Sequence, residues 1–268
     1  MFKVVLFFCG VIAFLLFATI SGGEVISSKP DSFYTTKDFS KKAGKCVLDE
    51  SSDSCASIDI SYPHFLLDLG SSSADQLNKF IQEKLIVYLA YDDTKFSGVK
   101  AFAEGFIADY LELTKDDVGD SGSWQFSKKI RVIYRNEALL TLRDEEDGYT
   151  GGAHGFSKVT WLSLDLNNGK PLKIDDILVK NSEKKMLDIA DKEFRQLRDL
   201  THNVSLEAAG YDFPNNTFTL SDNFAVVKKG LVFYYNSYDI AAYVYGSTEL
   251  FIPFDKLDGV LSMERIGL

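Results

Sequence analysis

Histidine and cysteine are scarce in this 268-residue chain, three of each. The histidines are His64, His154 and His202. No two stand four apart, and no cysteine or acidic box accompanies them, so the usual helical zinc spacing is absent. No metal and no cofactor is expected. Basic excess is lacking too: 29 Lys and Arg face 39 Asp and Glu, a net charge of −10. That balance argues against nucleic acid and against anionic membrane surfaces, and suits a basic partner. Internal repeats are missing. So is a recognisable catalytic set. Gly119-Asp120-Ser121-Gly122 imitates a serine-protease loop, but the only upstream histidine is His64, in Tyr-Pro-His-Phe at a strand end. Ser97 with Lys100, Ser221 with Asn223, and Lys228-Lys229-Gly230 imitate the boxes of penicillin-binding enzymes, but the last two crowd onto one hairpin.

What is present begins with an uncharged run over residues 4–20, preceded by Lys3 and followed by Ser21-Gly22-Gly23. Residues 1–23 read as a secretory signal; an uncleaved anchor is the rival, and only then is a membrane involved. Cys9 lies inside the run rather than at its end, which excludes lipid attachment. The rest of the chain is therefore expected outside the cytoplasm, periplasmic or secreted. There Cys46 and Cys55 read as a disulfide closing a short loop.

Residues 24–54 read as a flexible leader, rich in Ser, Lys and Thr. Alternation over 57–67 predicts a strand. Ser73 with Gln76 forms a capping box ahead of the stripe Leu77, Ile81, Leu85, Tyr88. A second helix carries Val99, Phe102, Phe106, Tyr110 and Leu113 inward, and a third carries Met186, Ala190, Phe194 and Leu197. Strands are predicted at 124–135, 140–142, 159–166, 172–178, 224–227, 231–235 and 250–254. Asn167-Asn168-Gly169 is a hairpin turn. Asp144–Asp147 reads as a solvated acidic loop. The expected fold is α+β, with antiparallel sheet and about three helices on one side, in a single composite domain.

One stretch interrupts the strands: Tyr149-Thr150-Gly151-Gly152-Ala153-His154-Gly155. Paired glycines allow positive φ and close backbone approach, so a strained crossing between the two halves is expected there, with His154 projecting from it. The same stretch, with Leu164–Ile177, Gly230–Gly246 and Ile252–Leu257, resembles the extracytoplasmic region of the lysozyme-sensing anti-sigma factor RsiV. It is similar also to the non-catalytic N-terminal region of the peptidoglycan deacetylase PdaC. The resemblance spans roughly 55–262 and divides the chain into a PdaC-like half (55–150) and an RsiV-like half (151–268). Ala242 stands where the family often has proline, and Asp239 where it often has glutamate.

The resemblance implies an exported, non-catalytic binding module for a lysozyme-like muramidase or for peptidoglycan, acting as an inhibitor or immunity protein. Neither a cytoplasmic segment for a sigma factor nor a deacetylase catalytic domain is expected. The candidate binding residues are Tyr149, Gly151, Gly152, His154, Tyr238, Asp239 and Tyr243. Two other readings stand beside it: an enzyme acting on cell-wall glycan through paired carboxylates, and a structural envelope protein.

Overall fold

The computed structural model describes residues 33–49, 51–86, 96–115 and 122–268. The apolar run over 4–20, Tyr88 and Ser121 lie outside them. Six strands form one sheet in sequence order: β1 (Tyr34–Gly44), β2 (Cys55–Phe65), β3 (Trp124–Arg135), β4 (Leu139–Tyr149), β5 (Phe156–Asp165) and β6 (Lys170–Pro171). All neighbours are antiparallel except β2 and β3. That parallel pair needs a long crossover. It contains helices α1 (Ala74–Ile86) and α2 (Val99–Thr114). A short turn of helix, α3 (Ile174–Ile177), then leads to α4 (Glu183–Leu197) and a three-stranded antiparallel sheet of β7 (Phe224–Val227), β8 (Gly230–Tyr235) and β9 (Thr248–Pro253).

Alternation along the strands sorts the layers. Ile58, Ile60, Phe126, Ile130, Leu140, Leu142 and Leu164 face one way and meet Leu77, Ile81, Phe102, Phe106 and Tyr110 of α1 and α2 in one core. Phe224, Val226, Leu231, Phe233, Leu250 and Ile252 meet Met186, Ala190 and Phe194 of α4 in a second. Between the sheets, Val159 and Trp161 of β5 pack on Ala225, Val232 and Tyr234. The layers thus run helix, sheet, sheet, helix. The α+β class is as the sequence predicts, but helices cover two outer faces rather than one.

The two sheets are also bonded. The Thr141 hydroxyl donates to the Val226 carbonyl (2.6 Å), Ser163 Oγ accepts the Val226 amide (2.9 Å), and the two hydroxyls lie 2.7 Å apart. On the edge away from β4, β5 has no strand neighbour among the described residues over 156–163, since β6 reaches only Leu164 and Asp165. Asparagine side chains stand in for one. Asn223 accepts the Trp161 amide (2.6 Å) and donates to the Val159 carbonyl (2.8 Å). Asn236 accepts the Val159 amide (2.7 Å) and donates to the same carbonyl (3.1 Å). An open edge is an aggregation template, and these amides close it.

Several expectations are met locally. Ser73 and Gln76 exchange the two bonds of a capping box (3.0 and 3.1 Å). Gly169 turns β5 into β6 at φ 69°. Others are overturned. Residues 34–44, within the supposed leader, are an eleven-residue strand paired along its length with β2. Its inward positions are spaced by polar residues that face solvent, so no run of apolar residues betrays it. Leu113 and Leu197, placed on buried stripes, are exposed at the last turns of α2 and α4. Within 172–178, Ile174–Ile177 form α3 rather than a strand, and Leu178 makes only an isolated bridge to Leu261.

Candidate binding surface at one end of the large sheet

The glycine stretch is the loop of the β4–β5 hairpin, not a crossing between the halves: the strands it joins are neighbours, with Gly148 opposite Phe156. The glycines are required nonetheless. Gly151 and Gly152 adopt φ of 96° and 94°, which a Cβ disfavours. The Tyr149 hydroxyl donates to the Gly152 carbonyl (2.9 Å), and His154 Nδ1 lies 2.8 Å from the Gly155 carbonyl. The loop is thereby held in shape, and the imidazole faces outward.

That imidazole meets the aromatic loop after β8. His154 and Tyr243 stack with centroids 5.2 Å apart at 20°, and Tyr238 lies 5.5 Å from Tyr243. The loop is anchored by a side-chain-to-backbone bond at its start. Asp239 accepts the Asn236 amide (2.7 Å) while the Asn236 side chain grips β5. Tyr238 sits at φ 73°, a conformation uncommon for a bulky residue and worth roughly 1–3 kcal/mol of strain. Tyr238 and Tyr243 are 64% and 50% exposed, and Val244 beyond them 86%. Large apolar groups left to water beside strained backbone make this a candidate contact surface.

All seven candidate residues fall in this region. Tyr149, Gly151, Gly152 and His154 come from the hairpin, while Tyr238, Asp239 and Tyr243 come from the loop that it touches. Sequence reasoning missed the groove alongside, a cavity of about 260 Å³ bordered by Asp59, Gln125, Ser127, Asp147 and Tyr149. Its signal was available in the outward half of the β2, β3 and β4 alternation, where polar residues fall opposite one another across three strands.

The acidic run 144–147 is not a loop. It lies within β4, and Asp144 and Glu146 turn inward. Between them is Lys128, 1% exposed, bonded to Glu146 and 3.1 Å from Asp144. Burial pushes both carboxyls above the ordinary carboxylate range, opposed by the Lys128 charge. Burial likewise lowers the ammonium of Lys84 on α1 beside them. Asp144 Oδ1 and Glu146 Oε2 have no hydrogen-bond partner among the described residues. These groups face each other beneath the helices, while Glu145 points outward to Arg131 (2.5 Å) and Arg143 (3.0 Å).

The remaining motifs resolve structurally. Asn223 of the supposed second box closes the β5 edge, and Ser221 donates to the Tyr234 carbonyl (2.8 Å). Among the described residues no group of three metal-ligating side chains gathers. Cys46 and Cys55 are joined across the β1–β2 tip, with Cα atoms 5.4 Å apart. No helix among the described residues is long and apolar enough to cross a membrane.

Two family models match. One, "Deacetylase PdaC", covers residues 49–157, and the other, "Protein of unknown function (DUF3298)", covers 175–255. The peptidoglycan-N-acetylmuramic acid deacetylase PdaC of Bacillus subtilis is 23% identical over 174 residues, which take in 63% of this chain and 37% of that protein. The chain thus spans well under half the length of that relative. Among solved structures, a DUF3298 family protein from Pseudomonas aeruginosa superposes with a TM-score of 0.61 at 20% identity, covering 87% of this chain and 96% of its own. Another from Bacteroides fragilis gives 0.64 at 24% identity, covering 91% and 96%. Both share the fold. Its first half is thus similar to the deacetylase PdaC model and its second to DUF3298, on a fold shared with solved DUF3298 proteins.

Proposed function

We propose that this protein is an exported binding module, without catalysis of its own, whose ligand is a lysozyme-like muramidase or peptidoglycan. The observation that carries the reading is the exposed stack of His154, Tyr243 and Tyr238, built from two separate chain segments on strained backbone. Rigid aromatics presented this way supply contact area at small entropic cost. Three further points support it. The PdaC relative is named for action on peptidoglycan. A disulfide braces the β1–β2 tip, which suits an oxidising compartment outside the cytoplasm. The net charge of −10 would steer encounter with a basic protein, and lysozymes are commonly basic. Inhibition of, or immunity to, a cell-wall hydrolase is the sharper form. The test is a pull-down with hen egg-white lysozyme and, separately, with purified sacculi. Retention by either, weakened by Tyr243→Ala, supports the reading; retention by neither removes it.

A further inference from the structure

We infer that the groove bordered by Asp59 and Asp147 takes a lysine or arginine side chain of a basic protein partner, which rests on both the aromatic stack and the disulfide-braced tip of the β1–β2 hairpin. The inference rests on the binding reading above and names which of its two ligand classes fits.

The sheet register gathers the parts. Ala43 lies opposite Ala56, Ala56 beside Trp124, Gln125 opposite Tyr149 and Gly148 opposite Phe156. The β1–β2 tip and the 150–155 loop therefore leave the same end of the sheet. At the tip, Val47 and Leu48 are 62% and 94% exposed, one and two residues beyond Cys46. The disulfide holds that tip in place. An apolar pair on a braced tip has no folding role, since both side chains sit in water.

Between tip and stack lies the groove. Ser127 is in register with Asp59 on one side and with Asp147 on the other, so the two carboxylates flank one hydroxyl on one face of the sheet. Ser40 donates to Asp59 Oδ1 (2.5 Å) and fixes that carboxylate. Both aspartates are exposed, and among the described residues no salt bridge engages either. Their strands are two spacings apart, roughly 10 Å. Two carboxylates reaching inward from that separation suit an ammonium or guanidinium placed between them. The nearest cations in register, Lys42 opposite Ser57 and Lys129 opposite Glu145, stand outside the row.

Size decides the class of partner. From β1 to β5 the surface crosses four strand spacings, roughly 19 Å. A stable protein interface covers about 800 Å² on each side, which needs such a width. A hydroxyl-rich glycan would gain nothing by covering Val47, Leu48 and Val244. A basic protein gains from both the apolar margins and the acidic centre.

The experiment measures the affinity of the full chain for hen egg-white lysozyme and for sacculi, in low and in physiological salt, for wild type, Leu48→Asp and Asp147→Asn. Both substituted side chains are exposed, and the thermal midpoint of each variant is recorded alongside. Expected are lysozyme binding that weakens with salt, and a loss of about tenfold in each variant with an unchanged midpoint. Binding of sacculi but not lysozyme overturns the inference and leaves the binding reading standing. Lysozyme binding indifferent to both substitutions does the same. Binding of neither by wild type removes both.

Discussion

The imidazole of His154 lies 5.2 Å from the phenol ring of Tyr243 and within 20° of parallel to it. The contact joins a hairpin loop of the large sheet to a loop of the small one, so the surface exists only when both halves are folded together. Tyr243 is half exposed, and its loop is anchored by Asn236 and Asp239. Tyr243→Ala should therefore weaken binding about tenfold while moving the unfolding midpoint by less than about 2 °C. Calorimetric titration and a melting curve on one preparation check both.

The buried ionic cluster gives a stability prediction. Replacing Lys128 by Met leaves Asp144 and Glu146 facing each other in the interior. The expected cost is about 3–5 kcal/mol at neutral pH, read from denaturant unfolding. Replacing all three charged residues with apolar ones should restore much of that loss, because the desolvation cost disappears with the charges.

The same cluster sets a pH dependence. Burial raises the carboxyls of Asp144 and Glu146, so the native state binds more protons than the unfolded chain from the ordinary carboxylate range up to the raised values. Stability contributed by these groups is therefore present at low pH and lost as pH rises through that window. In Asp144→Asn the difference in unfolding free energy from wild type should change with pH across the window. A constant difference would show that Asp144 titrates normally.

The two kinds of glycine in the hairpin separate by cost. Gly152 has positive φ and open space around its Cβ position, so Gly152→Ala costs about 1–2 kcal/mol of backbone strain alone. At Gly155 a Cβ would lie 2.6 Å from the Gly148 carbonyl oxygen, and the hairpin must splay to admit it. Gly155→Ala should cost more than Gly152→Ala and should disturb the His154–Tyr243 stack. Melting curves and the ring-shifted resonances of His154 read these two effects.

Much of this architecture is legible in the residues. The capping box at Ser73, the hairpin at Gly169 and the alternation from Trp124 each follow from local chemistry and hold in the fold. The candidate surface was legible because glycine pairs and clustered tyrosines are unusual in their own right. What escaped was non-local. β1 is nearly all polar on its outward side and is a strand only because β2 lies beside it. Asp144 and Glu146 look solvated until β3 places Lys128 between them. Asn223 and Asn236 gain their roles only against the β5 edge, some 60–80 residues earlier in sequence.

The most direct test of the central claim is a titration of the full chain against hen egg-white lysozyme and against purified sacculi, comparing wild type with Tyr243→Ala. Saturable binding to at least one, weakened about tenfold by the substitution in a chain that melts like wild type, is the predicted result. Binding to neither, or binding that ignores Tyr243, would contradict the account.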